Sequence, residues 1–112
     1  MKTLELMGYE IIEKIKAKEI KIEELIQFHF ERIEKTDNLL HSYTYLSKES
    51  ALKRAKSFDH ELNEGKSIGK LHGLPISIKG CICVRDSPTT CGSKILEGYR
   101  PPYNATVVER LV

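Results

Sequence analysis

The stretch Gly73-Leu74-Pro75-Ile76-Ser77-Ile78-Lys79 decides the fold. Leu74, Ile76 and Ile78 alternate with smaller or polar neighbours, the period of an extended strand with one face turned to a core. Pro75 falls at the strand's first residues, where a missing N–H costs least. On that alternation Ser77 and Lys79 share the opposite face. Ten residues on, a run of mixed turn and apolar residues follows, Thr89-Thr-Cys-Gly-Ser-Lys-Ile-Leu-Glu-Gly-Tyr-Arg-Pro-Pro-Tyr-Asn-Ala-Thr-Val-Val-Glu-Arg-Leu111.

Upstream of this stretch the chain reads as helical. Ile11, Ile12 and Ile15, then Ile22, Leu25, Ile26, His29 and Ile33, recur at three- and four-residue intervals, the apolar stripes of two amphipathic helices. They join near Lys18-Glu19-Ile20-Lys21, where no Ser, Thr, Asp or Asn stands to cap the second helix. Thr36-Asp37-Asn38 is expected to close that helix, and His41-Ser-Tyr-Thr-Tyr-Leu46 alternates like a short strand. Ser47 is the expected N-cap of a third helix with Ala51, Ala55, Phe58 and Leu62 buried, and Gly65 its end. Glu31 and Lys35 lie one turn apart in the favourable order, so the lysine-rich stretches read as a solvated helix face. The expected class is therefore α/β, with helices over 1–65 followed by strands of a mixed sheet in a motif region over 70–112. At 112 residues the core is thin, and the segment is expected to be incomplete as a domain.

Composition excludes several roles. Apolar residues make up 40% and charged residues 30%, ordinary for a folded protein. Eighteen basic against sixteen acidic residues, interspersed, leave a net charge of +2 and no basic patch for nucleic acid or an anionic membrane. No apolar run spans a bilayer and the N-terminus has no signal-peptide core, so a cytoplasmic protein is expected. Cys81, Cys83 and Cys91 fit reduced thiols. Their C-x-C spacing and the scattered His29, His41, His60 and His72 do not make a zinc pattern, so no metal and no cofactor is assigned to these residues.

Taken together, Gly73 to Leu111 resembles the opening of the amidase signature family of serine hydrolases, and most of all its members that supply ammonia in tRNA-dependent amidotransferases. The resemblance implies an α/β fold and amide hydrolysis through an acyl-enzyme. It also implies that Lys79 is the base of a Ser/cis-Ser/Lys relay. The family's two serines lie in a downstream Gly/Ser-rich loop that these 112 residues do not contain, so the chain reads as an N-terminal fragment, inactive alone. By the same resemblance the substrate is glutamine, and the partners are the other amidotransferase subunits, with tRNA indirectly. ATP and Mg2+ are expected on a partner subunit, with no membrane involved. Other members act on fatty-acid amides, urea derivatives or indole acetamide. A different class of reading is a stand-alone, non-catalytic interaction module.

A lysine suits the role of base because its amine can be made neutral by burial, which an arginine cannot. The family usually places Asp-Asn after the lysine, where this chain has Gly80-Cys81, leaving Lys79 less firmly aimed. It often has aspartate where Asn104 stands, before the helix start expected at Ala105-Thr106-Val107-Val108, and asparagine caps comparably. A self-contained Ser77/Lys79 hydrolase lacks the S-x-x-K spacing. Cys91 lacks an adjacent histidine base and reads as a small buried residue. Gly65-Lys-Ser-Ile-Gly-Lys70 lacks the phosphate-loop spacing.

Overall fold

The computed structural model describes residues 5–66 and 68–112. The chain divides into two compact units, Met1–Pro75 and Ile76–Val112.

In the first unit three helices follow one another: α1 Gly8–Lys16, α2 Ile22–Leu40 and α3 Lys48–Asn63. The apolar spacing yields most of the core that it predicts, although Ile12, His29 and Ile33 are only half-buried. Ile11, Ile15, Ile22, Leu25, Ile26 and Ala55 are buried together, with Ala51, Leu52, Phe58, Leu62 and Leu74 packed around them. Each helix end has a local cause. Glu10 accepts the Met7 N–H at 2.6 Å, placing a carboxylate on the first turn of α1. After α1 the chain turns with Lys18 at φ 59°, its N–H on the Ile15 carbonyl and that of Glu19 on the Lys14 carbonyl. That is a Schellman turn with lysine where glycine is usual. After α3 the same turn carries Gly65 at φ 74°, as the sequence leads one to expect.

The cap missing from the sequence before α2 comes from α3. Asp59 accepts the N–H groups of Ile22 and Glu23 on its two carboxylate oxygens, each at 2.9 Å. Two orphan donors at the positive end of a helix dipole thus meet one anion 36 and 37 residues away. Beside this joint, Gly73 has φ 78°, and a Cβ there would come within 2.6 Å of the Ile22 side chain. Glycine is required on both counts. Just before it, His72 stacks against Phe58 of α3 with ring centroids 4.4 Å apart, its Nε2 3.3 Å from the Phe58 carbonyl. The segment from Leu71 to Leu74 is thereby laid against α2 and α3.

Several expectations need correction. α2 runs past Thr36-Asp37-Asn38 to Leu40 and closes on His41 at φ 51°, with Asp37 taking the Ser42 N–H at 2.7 Å. Ser47 is the N-cap of α3, but its side chain makes no capping bond. Glu31 and Lys35 are exposed, as expected of a solvated helix face, and Glu31 accepts from Gln27, one turn earlier, at 3.1 Å. Neither His41–Leu46 nor Leu74–Ile78 forms a strand, and among the described residues there is none, so the strands of the expected α/β sheet are not seen. Alternation gives an extended backbone, but a strand exists only when a neighbour completes the hydrogen-bond ladder. Prolines at 75, 88, 101 and 102 remove donors where such a ladder would run.

The second unit is accordingly irregular. It contains a single 3-10 turn over Lys94–Leu96 and the short helix α4 Thr106–Glu109, joined by isolated backbone bonds. Asp86 N–H reaches the Pro101 carbonyl and Thr89 N–H the Tyr99 carbonyl, each at 3.1 Å. Thr89, Pro101 and Val108 are buried, whereas Val107 and Val112 are exposed.

The cap and a histidine of α2 give two tests. Replacing Asp59 by Ala should cost about 1 to 2 kcal/mol of stability in urea unfolding, the usual range for a lost N-cap, and Asp59→Asn less. His29 has a buried Nε2 with no hydrogen-bond partner among the described residues. Burial first, and the Arg32 charge second, hold its pKa below 6.5. Between the two pKa values the unfolded chain binds a proton that the folded chain refuses, so this contribution is present above about pH 6.5 and is lost as pH falls. The urea midpoint should drop between pH 7.5 and pH 5.5, and drop less in His29→Phe. An equal drop in both would remove His29 as the cause.

Candidate active-site segment

Lys79 ends the extended run and opens a turn, its carbonyl accepting the Ile82 N–H at 2.9 Å. Its side chain is exposed, as is Ser77. The apolar neighbour Ile78 is half-buried and Ile76 exposed, so the described residues alone do not desolvate the amine.

Across from this turn lies a second one. Ser93 N–H meets the Thr90 carbonyl at 2.8 Å, and the two residues between, Cys91 and Gly92, have φ of 51° and 67°. Two successive left-handed residues define a tight primed turn. Its Cys91 N–H donates to the Gly80 carbonyl at 3.1 Å, which ties it to the residue after Lys79. Cys91 is exposed, against the expectation of a small buried residue. The buried member of this run is Thr89, whose hydroxyl reaches the Ser87 carbonyl at 3.4 Å.

Sequence reasoning missed the role of Asn104. The N-cap of α4 is Ala105, and Asn104 makes no cap bond to the helix. Instead its Oδ1 accepts the Arg85 N–H at 2.7 Å and its Nδ2 donates to Glu109 at 2.8 Å. One amide thus clips the loop after Ile82 to α4, using an acceptor and a donor together. The Ala105 N–H adds a bond to the Cys83 carbonyl at 2.8 Å, and the Arg100 guanidinium donates to the Asp86 carbonyl. The sequence signal was the amide itself, since a carboxylate could supply the first bond and not the second.

Cys83 lies 3.5 Å from the Tyr103 hydroxyl. The hydrogen bond with Cys83 first, and the electrostatic effect of Cys83 second, raise the Tyr103 pKa above 10.0. All four histidines belong to the first unit and all three cysteines to the second. Among the described residues no three His, Cys, Asp or Glu side chains could share a metal ion. An open groove of about 640 Å³ along α2, lined by Glu23, Glu24, Gln27, Phe28 and Glu31, contains none of the candidate site residues. Among the described residues no helix is long and apolar enough to cross a membrane.

Residues 24–112 match the family model described as Amidase, and the chain belongs to that family. Its curated relatives carry a more particular name, the A subunit of glutamyl-tRNA(Gln) amidotransferase. The protein of that name from Clostridium novyi (strain NT) is 46% identical over 104 residues, covering 93% of this chain and 21% of the relative. The one from Lachnoclostridium phytofermentans is 43% identical, with 99% and 23% covered. That from Acidothermus cellulolyticus is 41% identical, with 91% and 20% covered. The chain thus spans about a fifth of the length of these relatives. A solved structure, described as a vestigial protein complex that reveals the origins of an s-triazine catabolic enzyme, superposes with a TM-score of 0.89 at 28% identity, over 95% of this chain and 23% of its own. The backbone path described above, irregular unit included, is therefore that of an amidase-family fold.

The Asn104 clip is open to a double test. Asn104→Asp keeps the acceptor for Arg85 and sets two carboxylates face to face, so it should lower stability by about 1 kcal/mol. Adding Glu109→Gln should restore most of that loss. Hydrogen exchange at the Arg85 amide should stay slow in Asn104→Asp and become fast in Asn104→Ala; fast exchange in both would dismiss the clip.

Proposed function

We propose that these residues form the lysine-bearing N-terminal segment of a glutamine-hydrolysing amidotransferase subunit that supplies ammonia for converting Glu-tRNA(Gln) to Gln-tRNA(Gln). The observation that carries this reading is the 46% identity, sustained over 93% of the chain, to the A subunit of a glutamyl-tRNA(Gln) amidotransferase. Lys79 is the proposed base. In its neutral form the amine takes a proton from a bridging serine, which takes one from the nucleophilic serine as that oxygen attacks the glutamine side-chain amide. The proton returns along the relay to the amide nitrogen, ammonia leaves, and water then releases glutamate from the acyl-enzyme.

The role needs an amine made neutral by burial and Lys79 is exposed, so it requires residues beyond the described ones to cover it. What the segment supplies is position: a proline-led extended run, a turn at Lys79–Ile82 and a tie from Cys91 to Gly80. The two serines of the relay belong to the longer protein, which is why the 112 residues by themselves are proposed to be inactive. ATP and magnesium belong, in this reading, to a partner subunit that activates glutamate on the tRNA. The likeness to a structure described as revealing the origins of an s-triazine catabolic enzyme supports a second reading, hydrolysis of a different amide, at the lower identity of 28%.

A chimera tests both. Residues 1–112 would replace the matching segment of the Clostridium novyi protein, and glutamine-dependent formation of Gln-tRNA(Gln) would be measured. The chimera should be active, and Lys79→Ala should lower its turnover by roughly 10² to 10⁴ or more, the usual cost of a lost general base. Lys79→Arg should be comparably damaged, since a guanidinium does not give up its proton. Near-normal activity of Lys79→Arg would end the base assignment. Hydrolysis of simple amides without use of glutamine would favour the second reading.

A further inference from the structure

The geometry points to a dithiol site formed by Cys81 and Cys91, which closes to a disulfide on reaction with a peroxide and pins the turn that follows Lys79. Three observations carry it. First, the Cys91 N–H donates to the Gly80 carbonyl at 3.1 Å, and Cys81 is the next residue. Across a planar peptide that single bond caps the separation of the Cys81 and Cys91 Cα atoms at about 7 Å. A disulfide usually spans Cα atoms roughly 4.4 to 6.8 Å apart, so the bond holds the pair within or at the edge of bridging distance.

Second, both residues are exposed and both thiols are free, so an oxidant reaches them from solvent. Cys83, the third cysteine, is half-buried and engaged with Tyr103. Third, each of the two sits on a turn held from both ends. Lys79–Ile82 is closed by its own 2.9 Å bond and Thr90–Ser93 by its 2.8 Å bond, and the Cys91–Gly80 bond joins the two turns. The left-handed φ of 51° at Cys91, which most side chains avoid, is held by that same turn.

The chemistry balances with one peroxide. A thiolate attacks a peroxide oxygen, giving a sulfenic acid and water; the second thiolate attacks that sulfur, forming the S–S bond and releasing a second water. Two thiols lose two electrons and the peroxide gains them. A thiol reductant reverses the step. Disulfides outside secreted proteins are mostly transient and redox-sensing, which suits a bond between two accessible residues. The consequence for hydrolysis rests on the reading of Lys79 as base, whereas the cross-link does not.

Trypsin separates the partners, because it cuts after Lys79, Arg85 and Lys94. The 112-residue chain would be treated with hydrogen peroxide, alkylated, digested without reductant and analysed by mass spectrometry. The expected product joins Gly80–Arg85, with Cys83 alkylated, to Asp86–Lys94, lighter by about 2 Da than those two peptides together through loss of two hydrogens. It should persist in Cys83→Ser and vanish in Cys81→Ser and in Cys91→Ser. A link inside Gly80–Arg85, links between chains, or sulfinic acid with no link would each overturn the site. In the chimera above, peroxide should lower glutamine-dependent turnover reversibly in the parent and leave it unchanged in Cys81→Ser. An equal response in both would dismiss the effect on catalysis, and an intact Lys79→Arg enzyme would dismiss the base assignment, so the two failures stay distinct.

Discussion

The Asp59 carboxylate is what the helical unit depends on. α2 starts on a lysine that offers no cap, so its first N–H groups need a partner from elsewhere, and Asp59 of α3 meets two of them at once. Holding that carboxylate at the start of α2 fixes the register of the two helices against each other. With the register fixed, Ala55 faces the isoleucines and leucine of α2, and Phe58, one residue before the cap, is placed to receive His72. The chain then passes Ile22 at Gly73, where even a methyl group would collide, and enters the extended run toward Lys79. A polar contact thus organises an apolar core, because satisfying buried backbone donors constrains geometry more sharply than burying area does.

Surface pairs do much less. Lys14 with Glu19, Lys16 with Glu13 and Lys48 with Glu34 are exposed, and pairs in such settings contribute between nothing and about 1 kcal/mol. Their value is in keeping the outer faces of the helices solvated. The buried Nε2 of His29, without a partner among the described residues, acts the other way, since burial there favours the neutral ring.

The helices were legible because a 3.6-residue period is a property of neighbours in sequence: Ile11 with Ile15, Ile22 with Ile26, Ala51 with Ala55. Helix ends were legible where the cause is local, as at Gly65, and illegible where it is distant, as at Asp59. The strand reading of Leu74 to Ile78 failed for a related reason. Alternation records that a backbone is extended, but pairing needs a second segment, and prolines withhold donors from those nearby. At the candidate site, the position of Lys79 and the run after it were readable by resemblance. The clip by Asn104 and the closeness of Cys91 to Cys81 were not, since each depends on a bond between residues more than ten apart, Arg85 with Asn104 and Gly80 with Cys91.

The second unit, built from isolated bonds and not from a ladder, has a consequence for its motion. In a helix or sheet neighbouring amides open together, because each bond holds the next in place. Here the ties from Thr89 to Tyr99, Cys91 to Gly80 and Ala105 to Cys83 share no neighbours of that kind. Each can open and close on its own, so the unit loosens piece by piece over a spread of free energies. The turn that carries Lys79 can therefore be re-aimed by whatever packs on it without the rest of the unit having to unfold.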